Sequence, residues 1–179
     1  MTAPDPLDSL ALRARAGDAS AQVAFVRGTQ AEVWRFTAAL VDPGAADDLT
    51  QETYLRAFKA LPAFEGRSAV RTWLLGIARR TCADHLRAVV RRRRLDARLA
   101  EQAWTEVPRQ SDSAHRLGAA DLLSRLGEER RTAFVLTQVL GMSYAEAAEV
   151  EEVPVGTIRS RVARAREELV TAVAAAQAS

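Results

Sequence analysis

Cysteine is almost missing from this chain. Cys82 stands alone among 179 residues, so no internal disulfide can form and a stapled secreted scaffold is excluded. Asparagine is absent, lysine occurs once (Lys59) and isoleucine twice. Their codons are AT-rich, so the scarcity points to a GC-rich genome, and the 24 arginines are by themselves no argument for nucleic acid. No apolar run approaches the roughly 18 residues that a membrane span needs, so no membrane span is expected. The first residues have neither a basic n-region nor an apolar h-region, so no secretory signal is expected. Aromatics make up 6% of the chain and β-branched residues are sparse, which nearly excludes a sheet-rich fold. The equipment of an enzyme is missing too. His85 and His115 lie far apart, no glycine-rich phosphate loop occurs, and no set of ligands has metal-binding spacing. No catalytic residue, metal or cofactor is expected, and His85 reads as a surface or packing histidine.

What is abundant is helix former. There are 36 alanines beside the arginines and leucines, and hydrophobic residues reach 48%, which predicts an all-α protein. The net charge of +2 conceals a segregation. Residues 1–66 sum to −3, 67–98 to +8, 99–117 to −1, 118–154 to −4 and 155–179 to +2. A local cluster matters more to a polyanion than the total, because screening cuts interactions beyond about 8 Å. Two basic segments set between acidic ones point towards nucleic acid rather than to a pair of solvated helix faces.

Helical periodicity predicts helices over about 7–16, 19–41 and 45–61, and a long one from Ser68 towards Arg94. Val23, Val26, Val33, Trp34 and Phe36 are buried candidates on the second. Tyr54, Leu55, Phe58 and Leu61 form the apolar side of the third, and Asp42-Pro43-Gly44 reads as a stop between the two. A weakly patterned stretch over 96–113, longer than ordinary helix connections of 2–8 residues, reads as a tether. Shorter helices follow at about 114–126, 128–140, 143–150 and 155–175. The expected domains are 1–95, a linker at 96–113, and 114–179.

The most specific pattern lies at 143–170. Ser143 and Glu146 make a capping box, a short helix and tight turn follow, and Pro154 suits the first turn of the next helix. This is helix–turn–helix architecture. Ile158, Val162, Ala165 and Leu169 form its core stripe. Thr157, Ser160, Arg161 and Arg164 are read as the opposite, groove-facing side, with Arg159 and Arg166 flanking it towards phosphate. On the long helix, Thr72, Arg79, Arg80 and Arg87 oppose an apolar stripe that begins at Val70 and Leu74. Phe64 to Ser68 form a loop before it. Trp73 sits at the border of the faces, where a core tryptophan and a base-stacking platform are both open readings. The acidic start of the third helix, Asp47-Asp48, with Gln51 and Glu52, either complements the helix dipole or offers a polar face to a basic protein.

Asp47–Phe58, Phe64–Ala78 and Tyr144–Arg166 together closely resemble the extracytoplasmic-function (ECF) sigma factors of bacterial RNA polymerase, within them the actinobacterial SigC-like group. The resemblance runs in order from about residue 7 to 172. It implies two small helical domains on a flexible linker, and an initiation factor that brings core polymerase to promoters and helps melt them in the bacterial cytoplasm, at the nucleoid when in holoenzyme. Asp47, Asp48, Gln51 and Glu52 would dock on the β′ clamp helices. Phe64, Arg67, Ser68, Arg71, Thr72, Trp73, Arg79, Arg80 and Arg87 would capture the single-stranded −10 element. Thr157, Arg159, Ser160, Arg161 and Arg164 would read the −35 duplex, with the second domain resting on the β flap. An anti-sigma factor is a further partner of this kind of protein. Arg80 and Thr137 depart from the family's frequent Asn and Arg, which bears on the −10 preference and on one −35 contact. An autonomous helix–turn–helix repressor would account for 143–170 but leaves 47–94 unexplained.

Overall fold

Aspartate followed by proline starts two of the first three helices. The protein, described by a computed structural model over residues 5–103 and 118–177, has α1 at Pro6–Arg15, α2 at Ala19–Leu40, α3 at Pro43–Ala60 and α4 at Val70–Ala103. Asp5 and Asp42 accept the backbone N–H two residues on, with Pro6 and Pro43 inside the first turn, where a missing donor costs nothing. Asp42-Pro43-Gly44 therefore follows the end of α2 at Leu40, as expected, and also begins α3, two residues before the expected start. Asp18 caps α2, and bonds from Ser20, the Ala21 N–H and Arg13 hold its carboxyl well below the ordinary range. The α4 start is capped from afar: the Val70 N–H donates to Asp8 of α1 at 2.8 Å.

α2 buries Ala21, Phe25, Thr29, Val33, Phe36 and Leu40, a stripe at helical spacing. That stripe leaves Val23 and Trp34 outside, at 51% and 43% exposure, against the expectation that both are core. On α3 the buried set is Ala46, Leu49, Thr50, Thr53, Tyr54 and Ala57, and Leu55, half a helical turn away from Ala46, is 58% exposed. Phe58 meets Phe25 edge-on at 6.4 Å between ring centres. Polar atoms inside this core are matched: the Thr29 and Tyr54 hydroxyls share a 2.7 Å bond, and Thr50 and Thr53 donate to the carbonyls of Ala46 and Leu49. Each match matters because a buried hydroxyl without a partner costs on the order of 1–3 kcal/mol.

The C-terminal unit holds α5 at Ala119–Ser124, α6 at Glu128–Phe134, a π-helical turn at Val135–Val139, α7 at Tyr144–Glu151 and α8 at Val155–Gln177. No strand occurs among the described residues. α4 continues past Arg94 to Ala103, so the first eight residues of the expected linker are helical; from 104 the linker lies outside the described residues, as do the expected start of α5 and His115. The capping box forms as expected, the Ser143 hydroxyl accepting from Glu146 N–H at 3.2 Å and Glu146 accepting from Ser143 N–H at 2.8 Å. These bonds pull the Glu146 carboxyl below its ordinary value. α7 ends on Glu152 at φ 57°, a left-handed position usually taken by glycine or asparagine. Ile158, Val162 and Ala165 carry the α8 core stripe.

The two units pack into one continuous apolar core, α4 lying against α7. Arginines staple them. Arg71 forks onto Glu32 of α2 and donates to the Leu140 carbonyl at 2.7 Å, Arg79 donates to the Val150 carbonyl at 3.0 Å, and Arg131 donates to the Leu40 carbonyl at 3.1 Å. Ser143→Ala should destabilise the fold by about 1 kcal/mol, the ordinary worth of a helix N-cap, read as a lower urea midpoint at unchanged m-value.

Candidate nucleic-acid interface

The residues expected to hold single strands come together around the start of α4. Phe64 is 7% exposed and its ring lies 4.9 Å from that of half-buried Trp73 at a tilt of 43°. Its carbonyl accepts from Arg15 at 2.7 Å. Gly66 takes φ 70° to turn the loop, where a β-carbon would be strained. Arg67 is exposed beside Glu65 at 2.5 Å, and Ser68 is half-buried. Thr72 is 4% exposed, inside the core rather than on the surface assigned to it.

The arginines of that surface are engaged within the chain. Besides Arg71 and Arg79, Arg80 pairs with Glu152 at 2.7 Å and Arg87 with Asp84 at 2.6 Å. Asp84 also holds Arg56 at 2.7 Å, and these two arginines keep its carboxyl below the ordinary range. In this closed arrangement the α4 face meets the backbone of the helix–turn–helix, so one candidate reader covers part of the other.

On α8, Arg159, Ser160 and Arg164 are exposed and Thr157 is half-buried. The Ser160 hydroxyl donates to the Thr157 carbonyl at 2.9 Å, and Arg166 donates to Gln138 at 2.6 Å. Arg159 and Arg164 have no hydrogen bond or ion pair to another described residue. Arg161 stands apart from the face expected to carry it. Its side chain is only 16% exposed, bonded to Glu151 at 2.5 Å and to Glu129 at 2.8 Å. It lies on the flank of the apolar stripe, where folding turns it inward. Thr137 is buried and donates to the Ala133 carbonyl.

Glu151 sits at the seam. Its side chain is 4% exposed, one oxygen meets Arg161 and the other has no hydrogen bond. It borders a cavity of about 270 Å³ whose other wall comes from Arg79, Cys82, Ala83 and Leu86 of α4. Burial pushes the Glu151 carboxyl up to about 7, against the pull of Arg161 and Arg79 and with Glu129 adding to the rise. The same burial pushes the Cys82 thiol up to about 12, leaving it protonated and inert at neutral pH.

Asp47 and Asp48 face outward from the second turn of α3, whose first turn carries no acidic residue, so they do not open the helix as expected. Asp47 accepts from the Trp34 indole at 2.8 Å and Glu52 holds Arg56 at 2.8 Å, while Asp48 and Gln51 are exposed without a hydrogen bond to another described residue. Beside them runs a groove of about 400 Å³ lined by Val26, Gln30, Gln51, Tyr54, Leu55 and Phe58. Periodicity had marked Leu55 as interior. The alternative signal was its place half a turn from the Ala46–Thr53–Ala57 stripe.

Comparison with known proteins follows this geometry. The family model for Sigma-70 region 2 matches residues 25–94, and that for Sigma-70, region 4 matches residues 117–169. The chain is 48% identical over 171 residues to the ECF RNA polymerase sigma factor SigC of Mycobacterium tuberculosis, covering 92% of this chain and 90% of that one. It is 34% identical over 167 residues to the ECF RNA polymerase sigma-E factor of Escherichia coli, covering 87% of each. Among solved structures, CnrH in complex with the cytosolic domain of CnrY shares the fold at TM-score 0.72 and 24% identity, covering 96% of this chain and 99% of that one. RpoE of Bartonella quintana, crystallised with the anti-sigma factor NepR, aligns at TM-score 0.61 and 25% identity over 80% of this chain and 91% of that one.

The seam generates a pH dependence. Folding raises the Glu151 pKa from 4.5 to about 7, so the folded chain binds the extra proton. Its contribution is complete below about 4.5, shrinks as pH rises through about 7 and is flat above. The urea midpoint should carry a component that falls across that window in wild type. With Glu151→Gln it should stay level.

Proposed function

The chain belongs to the ECF sigma factors of bacterial RNA polymerase, and on that premise we propose how its surfaces divide the work. It directs RNA polymerase to promoters. The observation that carries the proposal is the match of regions 2 and 4, in order, to two units that present an outward acidic face and an arginine-bearing helix–turn–helix. Asp48, Gln51 and Glu52, with Asp47 steadied by Trp34, dock on the β′ clamp helices, and exposed Leu55 and Val23 add apolar area beside them. Arg159, Ser160, Arg164 and Thr157 enter the −35 major groove, N-terminal end of α8 first, while this unit rests on the β flap.

The −10 face works only after the units part. Arg71, Arg79 and Arg80 then exchange carbonyl and carboxylate partners for phosphates, with Arg67 and Arg87 beside them and Ser68 at the loop. Half-buried Trp73, backed by the buried Phe64 ring, is the platform for an extruded base. Extrusion costs a few kcal/mol and stacking on an aromatic returns about 1–3 kcal/mol per base. Melting is thus an exchange of contacts rather than a chemical step, and no catalysis by this chain is part of the proposal. Core polymerase fixes the spacing of the readers and gives two weak sites a high effective concentration. An anti-sigma partner, as for RpoE of Bartonella quintana, and a place at the cytoplasmic nucleoid complete the reading. Among the described residues no helix is long and apolar enough to cross a membrane.

Run-off transcription from a cognate promoter should depend on adding this chain to core polymerase; tight promoter binding without core, and no transcript, would mark a repressor instead. Asp48→Ala with Glu52→Ala should weaken binding to core polymerase while leaving Tm in place. Arg164→Ala should cost about 1–3 kcal/mol on the preferred −35 sequence and much less on others, with Tm unchanged. Arg161→Ala should do the reverse, lowering Tm because Glu151 is left buried without its cation.

A further inference from the structure

Past its core-facing half, α4 becomes a bare basic rod. Residues 90–99 are all exposed, and Glu128 of α6 shares a hollow of about 280 Å³ with Leu86, Arg87, Val90, Arg91 and Arg94. Arg80, Arg87, Arg91, Arg94 and Arg98 recur at i, i+7, i+11, i+14 and i+18, which places them within one narrow face of a helix of 3.6 residues per turn. The stripe divides in two. Arg80 and Arg87 are held by Glu152 and Asp84, whereas Arg91, Arg94 and Arg98 have no hydrogen bond or ion pair to another described residue. Arg92 and Arg93 are likewise free on the flanks. Such an arrangement opposes the helix on its own, since like charges three and four apart repel.

We propose that the distal stripe, Arg91, Arg94 and Arg98, is a sequence-independent clamp on the phosphates of duplex DNA, open while the −10 face is shut. The inference rests on the promoter reading above and extends it to a surface outside either reader. A duplex fits because the free guanidiniums stand in one row along an uninterrupted helix, as the phosphates of a duplex strand do. From Arg91 to Arg98 the helix rises about 10.5 Å, on the order of three phosphate steps of 3.4 Å per strand along the duplex axis. Three guanidinium forks at that spacing can grip one strand without touching base edges. The closed chain would then hold DNA loosely and without sequence preference before core polymerase opens the readers.

The test uses the full-length chain with Arg91→Gln, Arg94→Gln and Arg98→Gln combined, glutamine being a good helix former, and the corresponding triple Arg→Lys variant. Binding to a scrambled-sequence duplex is measured against salt, with helicity checked by circular dichroism. Each phosphate contact contributes about 0.9 to the slope of log K against log salt, so the Gln variant should lose roughly 2 to 3 from that slope and the Lys variant should keep it. A slope unchanged by glutamine, a Lys variant as weak as the Gln variant, or single-stranded RNA displacing the duplex would each overturn the proposal. In holoenzyme the Gln variant should keep the wild-type preference for promoter over scrambled DNA. A wild-type holoenzyme without that preference would sink the promoter reading alone, since the slope of the free chain still decides the clamp.

Discussion

The rest of the structure depends on arginines of α4 being satisfied by the backbone of the C-terminal unit. A guanidinium carries five donors and cannot shed its charge, so packing α4 against α7 is tolerable only if each fork finds acceptors. Arg71 finds Glu32 and the Leu140 carbonyl, and Arg79 finds the Val150 carbonyl. Leu140 caps the end of the π-helical turn, and Val150 lies in the last turn of α7, the first helix of the helix–turn–helix. Late carbonyls of a helix lack intrahelical partners, and the macrodipole makes that end attractive to cations. The same chemistry that suits these arginines to phosphate suits them to helix ends, which is why one surface serves both as domain seam and as candidate strand-binding face.

Glu151 shows what the seam costs. A carboxylate at that depth, with one oxygen unmatched, is stable only beside Arg161 and close to Arg79. Burial of such a pair rarely adds net stability, while breaking it is expensive. The result is a packing that holds the two units in one register yet carries an internal tension, a fitting property for an interface that must come apart. Glu152, left-handed at the end of α7 and paired with Arg80, adds to it. The residue occupies a backbone position that glycine would take at lower cost, and its carboxylate bridges to α4.

Much of the molecule was legible before any coordinates. The all-α class, the capping box at Ser143–Glu146 and the α8 stripe are local patterns, set by 3.6-residue periodicity and by short-range hydrogen bonds. The start of α3 is two residues earlier than periodicity placed it, because the turn that follows α2 at Leu40 also begins α3 at Pro43. Val23, Trp34 and Leu55 were misplaced for a different reason. Hydrophobicity says that a side chain prefers burial, but a helix has one inward stripe, and which residues occupy it depends on where the neighbouring helices lie.

Composition and order along the chain determined the helices, their caps, the two-unit organisation and the family. These follow from interactions between residues a few positions apart, or from motifs whose spacing is itself the signal. Tertiary structure alone decided which arginines are free. Arg161 and Arg164 are three positions apart and chemically the same, yet one is folded onto Glu151 and Glu129 and the other is exposed. Arg80 and Arg91 share a helix face, yet one meets Glu152 and the other meets nothing described. The +8 of the basic segment is a property of the sequence; how much of it can reach a phosphate depends on partners up to 72 residues away, and no local pattern encodes contacts at that range.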